Sequence, residues 1–473
     1  MIRTTEQYEQ SLRDDREVYY RGERVKDVTQ HPILSLAVNH NKSVLNLYRE
    51  KDLRDLLIVN DPKYGETIRF FQPPRSAQDL ISRYTLTYEF TRRTATLFAH
   101  IGSDMLFALT IIANHVGKES AEKMRNFGDR ILSQDLSLAG AQMDVKGDRS
   151  LRPSEQADPD LYLRVVQSRD DGIIVRGAKA HTSNSMTANE LIVLPSRMMQ
   201  KGEEEYAVAF AIPVNTKGVK LICRPALESE VPLHPLEGPR VLHSAVVETL
   251  TVFDDVFVPW DRVFIYRDSR AAGMLANLFA LYHRFSALSY RSALAEILVG
   301  AAKLMAEYNG LERISHIQEK IVNLITFTEF QRICVRMSAY ECQIDKGTGI
   351  AMPNIMHANI GKLYSNLHYM DAIQSLIDIA GGIAITAPSG QDYDNPELRQ
   401  YIDKYTAGKA SVPAGNRFKL LLFIREIVAL LGGLESVTMI HAEGSIQAST
   451  LALYRDYKFD PMVESVKKLA SLA

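Results

Sequence analysis

The strongest constraint on the fold is a sequence pattern that changes twice along the chain. Up to about residue 138, and again from about residue 269, apolar residues recur at the three-to-four spacing of helices. Between these stretches lie short runs rich in β-branched residues, separated by Gly, Pro, Asn and Asp. Short strands without long helices between them are typical of antiparallel sandwiches and barrels. We therefore predict an N-terminal α-helical domain (1–138), a central β-barrel or sandwich domain (139–268) and a C-terminal helical bundle with a tail (269–473).

The helical patterns can be bounded more closely. Ala77–Gly117 predicts one packed helical stretch, since Leu97, Ile101, Met105 and Leu109 fall on one face. Four long patterns near the C-terminus end close to glycines and predict an antiparallel bundle, namely Ala271–Asn309, Ser315–Asp345, Pro353–Ile379 and Asn416–Leu431.

Composition excludes several classes of protein. Of 473 residues, 46% are hydrophobic and 24% charged, with a formal net charge of −2 and no basic stripe, so we expect no nucleic-acid partner. No uncharged apolar run is long enough to span a bilayer, and Met1–Arg16 lacks the apolar core of a signal peptide. The three cysteines form a sparse, odd set, which is typical of a reducing compartment. We expect a cytoplasmic protein without a membrane partner.

Five segments spread over almost the whole chain carry a family resemblance: Tyr8–Pro32, Ala141–Arg149 (AQMDVKGDR), Arg176–Glu190 (RGAKAHTSNSMTANE), Phe253–Arg262 (FDDVFVPWDR) and Ile379–Ser389 (IAGGIAITAPS). Together they resemble the 4-hydroxyphenylacetate 3-hydroxylase / 4-hydroxybutyryl-CoA dehydratase family. The resemblance implies an α+β, acyl-CoA dehydrogenase-like fold in which a four-helix bundle follows the β-domain. It also implies a homotetramer that holds FAD between subunits.

The resemblance implies which residues lie against the flavin. They come from three segments and are Gln142, Met143, Asp144, Lys146, Asp148 and Arg149; His181, Thr182 and Ser183; and Gly381 with Gly382. Polar groups there can hydrogen-bond the flavin ring, and a cation can stabilise its reduced form. Each segment also has a purely structural interpretation. Residues 142–149 can be a polar turn, residues 181–183 an exposed loop, and residues 381–382 a helix C-cap.

Part of this family holds an iron–sulfur cluster on three Cys and one His. The matching positions in this chain are Leu97, Ile101 and Tyr290 for the cysteines and His283 for the histidine. Leu and Ile cannot ligate iron, and no cysteine precedes Cys223. We therefore expect neither an iron–sulfur cluster nor another metal.

Three residues are candidates for proton transfer. Glu248 matches a glutamate that the dehydratases keep near the active site, whereas a second acidic position is Thr438 here. His283 can move protons near neutral pH, although a core histidine on a bundle helix explains it equally well. His100 is the nearest polar candidate to the region where the phenol hydroxylases place Arg, Tyr and His around their substrate.

Three functions are compatible with these patterns. The first hypothesis is a two-component monooxygenase, which uses O2 and reduced FAD from a separate flavin reductase to hydroxylate a small organic substrate that we expect to be aromatic. The second is a cluster-free relative of the dehydratase that acts on a CoA ester as an isomerase, dehydratase or desaturase. The third is a flavin-binding subunit without chemistry of its own. We favour the monooxygenase at this point.

Overall fold

The computed structural model describes residues 2–97, 101–226, 234–236, 246–429 and 434–472. Its N-terminal part mixes helices with short strands, so the prediction that this part is mostly helical is only partly right. The elements are α1 (Thr5–Ser11), β1 (Glu17–Tyr20), β2 (Glu23–Val25), α2 (Leu34–Leu47), α3 (Lys51–Leu57), β3 (Ile58–Asp61), β4 (Gly65–Ile68), α4 (Ala77–Thr94), α5 (Ser103–Val116) and α6 (Lys118–Gln134).

The predicted single helix over Ala77–Gly117 is wrong, because α4 and α5 are separate helices. Ala95 adopts a left-handed conformation (φ 53°) and ends α4. Gly102 (φ 87°) precedes α5, and a Cβ there would lie 2.3 Å from the Cβ of Leu138. Leu97 and Ile101 therefore lie outside both helices, in the connection between them.

The central part is built from strands that form two sheets. They are β5 (Leu138–Ala141), β6 (Arg164–Ser168), β7 (Gly172–Ser183), β8 (Glu190–Val193), β9 (Val208–Pro213), β10 (Val219–Cys223), β11 (Glu248–Pro259) and β12 (Val263–Tyr266). One sheet has the order β2-β1-β10-β11-β7-β6 and the other β12-β9-β8-β5. One buried apolar cluster contains residues of both sheets, among them Val175 and Phe253 from the first and Leu191 and Phe210 from the second.

The sheets are rich in antiparallel pairs, as predicted, but two pairings are parallel. β1 pairs with β10 and β5 pairs with β8 in parallel, while the long strands β7 and β11 are antiparallel. β1 and β2 thus join the central sheet from the N-terminal segment, across a long stretch of chain.

The C-terminal part is helical, as the periodicity predicts. It contains α7 (Ser269–Tyr308), α8 (Ser315–Tyr340), β13 (Gln343–Ile344), β14 (Ala351–Met352), α9 (Ile355–Ala380), α10 (Ile383–Thr386), α11 (Gly390–Asp394), α12 (Pro396–Tyr405), α13 (Ala414–Ala429), α14 (Leu434–His441), α15 (Ile446–Asp456) and α16 (Asp460–Leu469). The long helices α7, α8, α9 and α13 share one apolar cluster, to which they contribute Ala302, Leu324, Leu376 and Leu421.

The order of these layers positions the candidate site. α5 packs against α7 in an apolar cluster that includes Leu109, Tyr282 and residues of the second sheet. Polar side chains at the start of α5 can therefore contact the middle of α7. Across the described parts of the chain, every helix is too short or too polar to cross a membrane.

Candidate active site

A buried carboxyl group lies where the two longest strands meet. Glu248 begins β11 and pairs in register with Ser183 at the end of β7. The Ser183 hydroxyl donates to Oε1 of Glu248 at 2.6 Å, and Oε2 has no partner among the described residues. Glu248 is 8% exposed. Burial raises the pKa of its carboxyl to about 7, although Ser183, Arg224 and His283 each act to lower it. Near neutral pH this group can both take and give a proton.

His283 lies on α7, and its Nδ1 is engaged by Asp104. Phe279, one turn earlier, stacks on its ring with centroids 5.1 Å apart. Nδ1 lies 3.3 Å from Oδ2 of Asp104, whose other oxygen accepts from Arg83 (2.7 Å) and Ser286 (2.8 Å). The imidazole keeps 28% of its side-chain exposure.

The protonated form of His283 is favoured by its neighbours. Burial acts to lower the pKa of this imidazole, but the hydrogen bond to Asp104 and the charges of Glu443 and Asp104 outweigh it, so the pKa is raised. Because His283 also acts on the pKa of Glu248, the two titratable groups lie within electrostatic range of each other. The pair therefore combines a carboxyl of raised pKa with an imidazole that favours its charged form.

The segment predicted to lie against a flavin is fixed to β7 by a buried ion pair. Lys179 Nζ lies 2.7 Å from Oδ1 of Asp144, and both side chains are 2% exposed. The same ammonium donates at 3.0 Å to the carbonyls of Gln142 and Leu194. The Met143 carbonyl accepts from the Ala180 amide at 2.7 Å. The Asp144 carboxylate is thus used within the protein, and Lys179 sets the path of the backbone at 142–144.

Beyond Asp144 the chain turns and presents cations. Lys146 has a φ of 74°, a conformation that few non-glycine residues adopt and that is common at functional sites. The pKa of its ammonium is lowered by burial and then by the charges of Arg149 and Arg197. None of these three cations forms a salt bridge within the described ranges. This excess of positive charge fits an anionic group such as the diphosphate or reduced ring of FAD.

We expect Lys146→Ala and Arg149→Ala each to weaken binding of reduced FAD, by about threefold to thirtyfold, because each removes one charge-assisted contact. Anaerobic titration with reduced FAD measures this. Lys217→Ala, an exposed cation in the turn between β9 and β10, is the matched control and should bind as the wild type does. Unchanged affinity in both Lys146 and Arg149 variants contradicts the placement of FAD at this turn.

Three further residues predicted to lie against the flavin, Thr182, Asp148 and His181, differ in their burial and contacts. Thr182 is fully buried, and its hydroxyl contacts the hydroxyls of Thr249 and Thr251, so its side chain faces the protein interior. Asp148 is exposed and its carboxylate accepts from Ser150 at the turn. His181 has a φ of 56°. Burial lowers its pKa, and the charges of Lys146 and His441 add to this effect.

Gly381 and Gly382 follow α9, where Gly381 (φ 75°) caps the helix with its amide on the Ile377 carbonyl. A Cβ at either glycine would meet nothing within 4 Å. The helix-cap interpretation is therefore confirmed. Their predicted contact with FAD stays a prediction. His100, the third candidate for proton transfer, lies outside the described residues.

The positions that would carry an iron–sulfur cluster do not fit one. Leu97 and Tyr290 belong to the same buried apolar cluster, and the Tyr290 hydroxyl donates to Glu443 at 2.6 Å. Within the described residues, no group of three or more His, Cys, Asp and Glu side chains is arranged to hold a metal ion. Burial raises the pKa of the Cys223 thiol to about 12 and that of Cys334 to about 11, which disfavours the thiolates that iron needs.

Sequence reasoning missed three residues of the site. They are Asp104, Lys179 and Glu443. The roles of Asp104 and Lys179 depend on contacts with distant parts of the chain, such as that of Asp104 with His283 at a separation of 179 residues. Lys179 in the Arg176–Glu190 segment is the one local signal, since a charge on a buried strand needs a partner.

The chain is similar to known enzymes over most of its length. The chain matches the family described as 4-hydroxyphenylacetate 3-hydroxylase, over residues 4–265 for the N-terminal part and 272–471 for the C-terminal part. It is 30% identical over 494 residues to the 4-hydroxybutyryl-CoA dehydratase/vinylacetyl-CoA-Δ-isomerase of Clostridium aminobutyricum, covering 100% of both chains. It is 30% identical over 419 residues to the 4-hydroxyphenylacetate 3-monooxygenase oxygenase component of Thermus thermophilus, covering 87% of this chain and 85% of the relative.

Solved structures extend the comparison to the fold. The oxygenase component of a 4-hydroxyphenylacetate 3-monooxygenase, complexed with FAD and 4-hydroxyphenylacetate, superposes with a TM-score of 0.91 at 26% identity, covering 99% of this chain and 98% of that one. Butyryl-CoA dehydrogenase from Megasphaera elsdenii superposes with a TM-score of 0.50 at 16% identity, over 79% of this chain and 81% of that one, which indicates a related fold alone. The family-specific matches run through both the β-rich and the helical parts, and the chain belongs to the 4-hydroxyphenylacetate 3-hydroxylase family.

Proposed function

We propose that this protein is an FAD-binding enzyme that moves a proton along an unsaturated acyl thioester, as a Δ-isomerase. The observation that carries this proposal is the Glu248 carboxyl, which is buried, has a pKa of about 7 and keeps one oxygen without a partner among the described residues. A general base needs this combination of a neutral-range pKa and an available oxygen. His283, within electrostatic range and favouring its charged form, is suited to be the acid.

The reaction follows from these two groups. In a 3-enoyl thioester the C2 protons are acidic, since the resulting anion is shared by the carbonyl and the C3=C4 double bond. Glu248 takes a C2 proton, and His283 gives a proton to C4 as the double bond moves to C2=C3. One C–H bond breaks and one forms, so no external oxidant or reductant is needed. To close the cycle, Glu248 releases the C2 proton and His283 takes up one from solvent, to which its side chain is 28% exposed.

The remaining residues of the site orient these two. Ser183 holds Oε1 of Glu248, so that Oε2 is the oxygen left for substrate. Asp104 engages Nδ1 of His283 and so orients the imidazole. FAD, when bound, would supply an electron-accepting ring, and Lys146, Arg149 and Arg197 are the cations that would hold it.

The dehydratase relative supports an isomerase more than a dehydratase here. Its printed activities are 4-hydroxybutyryl-CoA dehydration and vinylacetyl-CoA isomerisation. The resemblance implies that dehydration uses an iron–sulfur cluster, and the side chains at the matching positions of this chain do not fit one. Isomerisation is a proton transfer that the groups described above can perform.

An anaerobic assay with two thioesters tests the proposal. FAD-loaded protein should convert vinylacetyl-CoA to its conjugated 2-enoyl isomer, measured by liquid chromatography, with the FAD spectrum unchanged at the end. The same protein should leave 4-hydroxybutyryl-CoA intact. If vinylacetyl-CoA is converted no faster than in buffer containing free FAD, the isomerase proposal is wrong.

A reduced-flavin monooxygenase remains the second candidate, because oxygenase components dominate the curated relatives and the solved FAD complexes match closely. In this alternative a separate reductase supplies reduced FAD, and the substrate is a small organic molecule. Mixing the protein anaerobically with reduced FAD and then with O2 tests it in a stopped-flow spectrometer. A long-lived, oxygen-dependent absorbance followed by substrate hydroxylation would favour the monooxygenase, whereas immediate release of oxidised FAD and peroxide would count against it.

We further propose that the protein assembles as a homotetramer, which would cover an apolar stripe on the C-terminal helix. No residue of α16 is buried. Its apolar residues recur on one face, with Val463 47%, Val466 58% and Leu469 85% exposed. Light scattering should give four times 53.2 kDa for the wild type. We expect a lower mass for the double variant Val466→Asp/Leu469→Asp. Lys468→Ala is the control, and an unchanged tetramer in the double variant contradicts a role of this stripe in assembly.

A further inference from the structure

One buried carboxylate on α5 is shared between an arginine and the imidazole proposed as the acid. Asp104 lies in the first turn of α5. Its Oδ1 accepts from Arg83 Nη2 at 2.7 Å and from the Ser286 hydroxyl at 2.8 Å. Its Oδ2 lies 3.3 Å from Nδ1 of His283. The two oxygens of one carboxylate therefore face different partners, and the proposed reaction uses the group that faces the second oxygen.

Arg83 is itself held firmly on α4. Its Nη1 donates to the Phe70 carbonyl at 2.7 Å, and its Nη2 donates to the Ser103 hydroxyl as well as to Asp104. The guanidinium carbon lies 4.9 Å from the centroid of the Phe107 ring. The residue is 3% exposed. A planar cation that is fixed in this way holds a carboxylate oxygen in one direction.

The contacts to Oδ1 determine where Oδ2 points. Ser286 and His283 lie one turn apart on α7 and contact the same carboxylate from one side. Arg83 contacts it from α4. Because two donors hold Oδ1, turning the carboxylate away from His283 would break both hydrogen bonds. Arg83 and Ser286 thus keep Oδ2 of Asp104 directed at the imidazole.

The charge of Arg83 matters as well as its position. A carboxylate as buried as Asp104, which is 7% exposed, is costly unless a cation pairs with it. Without a cation, burial favours the neutral carboxylic acid. A neutral acid attracts an imidazolium much less than a carboxylate does. Loss of the cation on Arg83 should therefore be felt at His283, although the two side chains are joined only through Asp104.

Other charged groups also act on the imidazole of His283. They come from each element packed against it and are Asp104 from α5, Arg291 from α7, Glu443 from the segment after α14, and Glu248 from β11. Burial acts to lower the pKa of His283, and the hydrogen bond to Asp104 is the largest effect that raises it. Asp104 is therefore the partner through which a change at α4 can reach His283.

We infer that Arg83 is a positioning residue of the active site, which keeps the Asp104 carboxylate charged and directed at His283. The catalytic part of this inference rests on the proposed isomerase function, in which His283 is the acid. A purely structural ion pair that joins α4 to α5 is the alternative. The two accounts differ in whether the loss of Arg83 changes the titration of His283 as well as the stability of the protein.

Titration of His283 in the full chain, without substrate, separates the two accounts. Histidines carrying ¹³C at Cε1 are followed by NMR across pH, and His283→Gln assigns one of the twelve. Arg83→Met should lower the midpoint of His283 by about one pH unit, because Asp104 loses its counter-charge. Arg83→Lys keeps the charge and should retain most of the wild-type midpoint.

A second buried arginine provides the matched control. Arg16 pairs with Asp14 at 2.6 Å and donates to the Met186 carbonyl at 2.6 Å, so its removal also leaves buried groups without a partner. Arg16→Met should destabilise the protein, as Arg83→Met does, and should leave the midpoint of His283 where it is in the wild type. Urea denaturation of both variants measures the stability.

The pH profile of the isomerase gives the second readout. The alkaline limb should move to lower pH in Arg83→Met, and kcat above that limb should fall about tenfold for a movement of one unit. KM should change little, because Arg83 acts through Asp104 and not on the substrate. Arg83→Lys should recover most of kcat.

Several results would overturn the inference. They are an unmoved His283 midpoint in Arg83→Met, an equal shift in Arg16→Met, and a midpoint in Arg83→Lys as low as that in Arg83→Met. So is a wild-type midpoint at or below that of an ordinary histidine, a measurement that needs no variant to fold. A shifted midpoint in a protein without isomerase activity would retain the control of His283 by Arg83 and reject the proposed function.

Discussion

Glu248→Gln is expected to lower the isomerase rate by about 10²–10⁴-fold, because the amide cannot accept the C2 proton while the shape of the site is kept. The loss should appear in kcat with little change in KM, since the amide oxygen can still contact substrate. Steady-state kinetics with vinylacetyl-CoA at pH 8 measures it. Ser183→Ala is the matched control: it removes the hydrogen bond to Oε1 and keeps the carboxyl. In the pH–rate profile of Ser183→Ala we expect the acid limb to move to higher pH, because the Ser183 hydroxyl acts to lower the pKa of Glu248.

The same Glu248→Gln variant should be more stable than the wild type at alkaline pH. Burial raises the pKa of Glu248 from 4.5 to about 7. For a raised pKa, the stability contributed by the protonated group is fully present below 4.5 and is lost as the pH rises through 7. The advantage of the variant in free energy of unfolding should therefore grow by about 2–3 kcal/mol between pH 4.5 and pH 8. Urea denaturation at both pH values measures it. A variant with wild-type activity, or with no gain in stability at pH 8, would contradict the buried base.

Lys179→Met is expected to destabilise the protein by about 3–5 kcal/mol, because it leaves the buried Asp144 carboxylate without its counter-charge. It also removes the donors to the Gln142 and Leu194 carbonyls, so the segment predicted to contact FAD loses its anchor. We expect FAD to bind more weakly by at least about tenfold. Urea denaturation and calorimetric titration with FAD measure the two effects.

The double variant Lys179→Met/Asp144→Asn separates charge from position. Removing both charges should restore much of the lost stability, since no unpaired ion remains in the interior. FAD affinity should stay low, because the Gln142 carbonyl is still without its donor. A single variant as stable as the wild type would show that Asp144 finds another partner. Full recovery of FAD affinity in the double variant would show that Lys179 does not position this segment.

The sequence predicts the long elements of this fold better than the contacts between them. The pattern over Ala271–Asn309 corresponds to α7 at Ser269–Tyr308, because a buried helix carries its own periodicity. The break between α4 and α5 was missed, since it depends on the approach of Gly102 to Leu138 in β5. The parallel pairing of β1 with β10 was also missed, because it joins segments far apart in the chain and leaves no local signal.

In the candidate site, too, the sequence predicts single residues better than the contacts between them. The resemblance indicated Glu248 and His283, whose residue types carry chemistry wherever they lie. It did not indicate that Asp104 engages His283 or that Glu443 binds Tyr290, at separations of 179 and 153 residues. Because Thr438 occupies the position of a second acidic residue of the dehydratases, the sequence predicted an incomplete acid–base set. The structure buries the Glu443 carboxylate against Arg291, at a position whose sequence context, between His441 and Gly444, gives no hint of burial.

Isomerisation in deuterium oxide tests the central claim most directly. FAD-loaded protein, kept anaerobic, is incubated with vinylacetyl-CoA in D2O, and the thioester is analysed by mass spectrometry and NMR. A proton transfer through Glu248 and His283 predicts a 2-enoyl-CoA product with deuterium at C4, formed without oxygen and abolished in Glu248→Gln. Recovery of unlabelled, unconverted vinylacetyl-CoA from a protein that binds FAD would contradict the account and leave the reduced-flavin monooxygenase as the function to test.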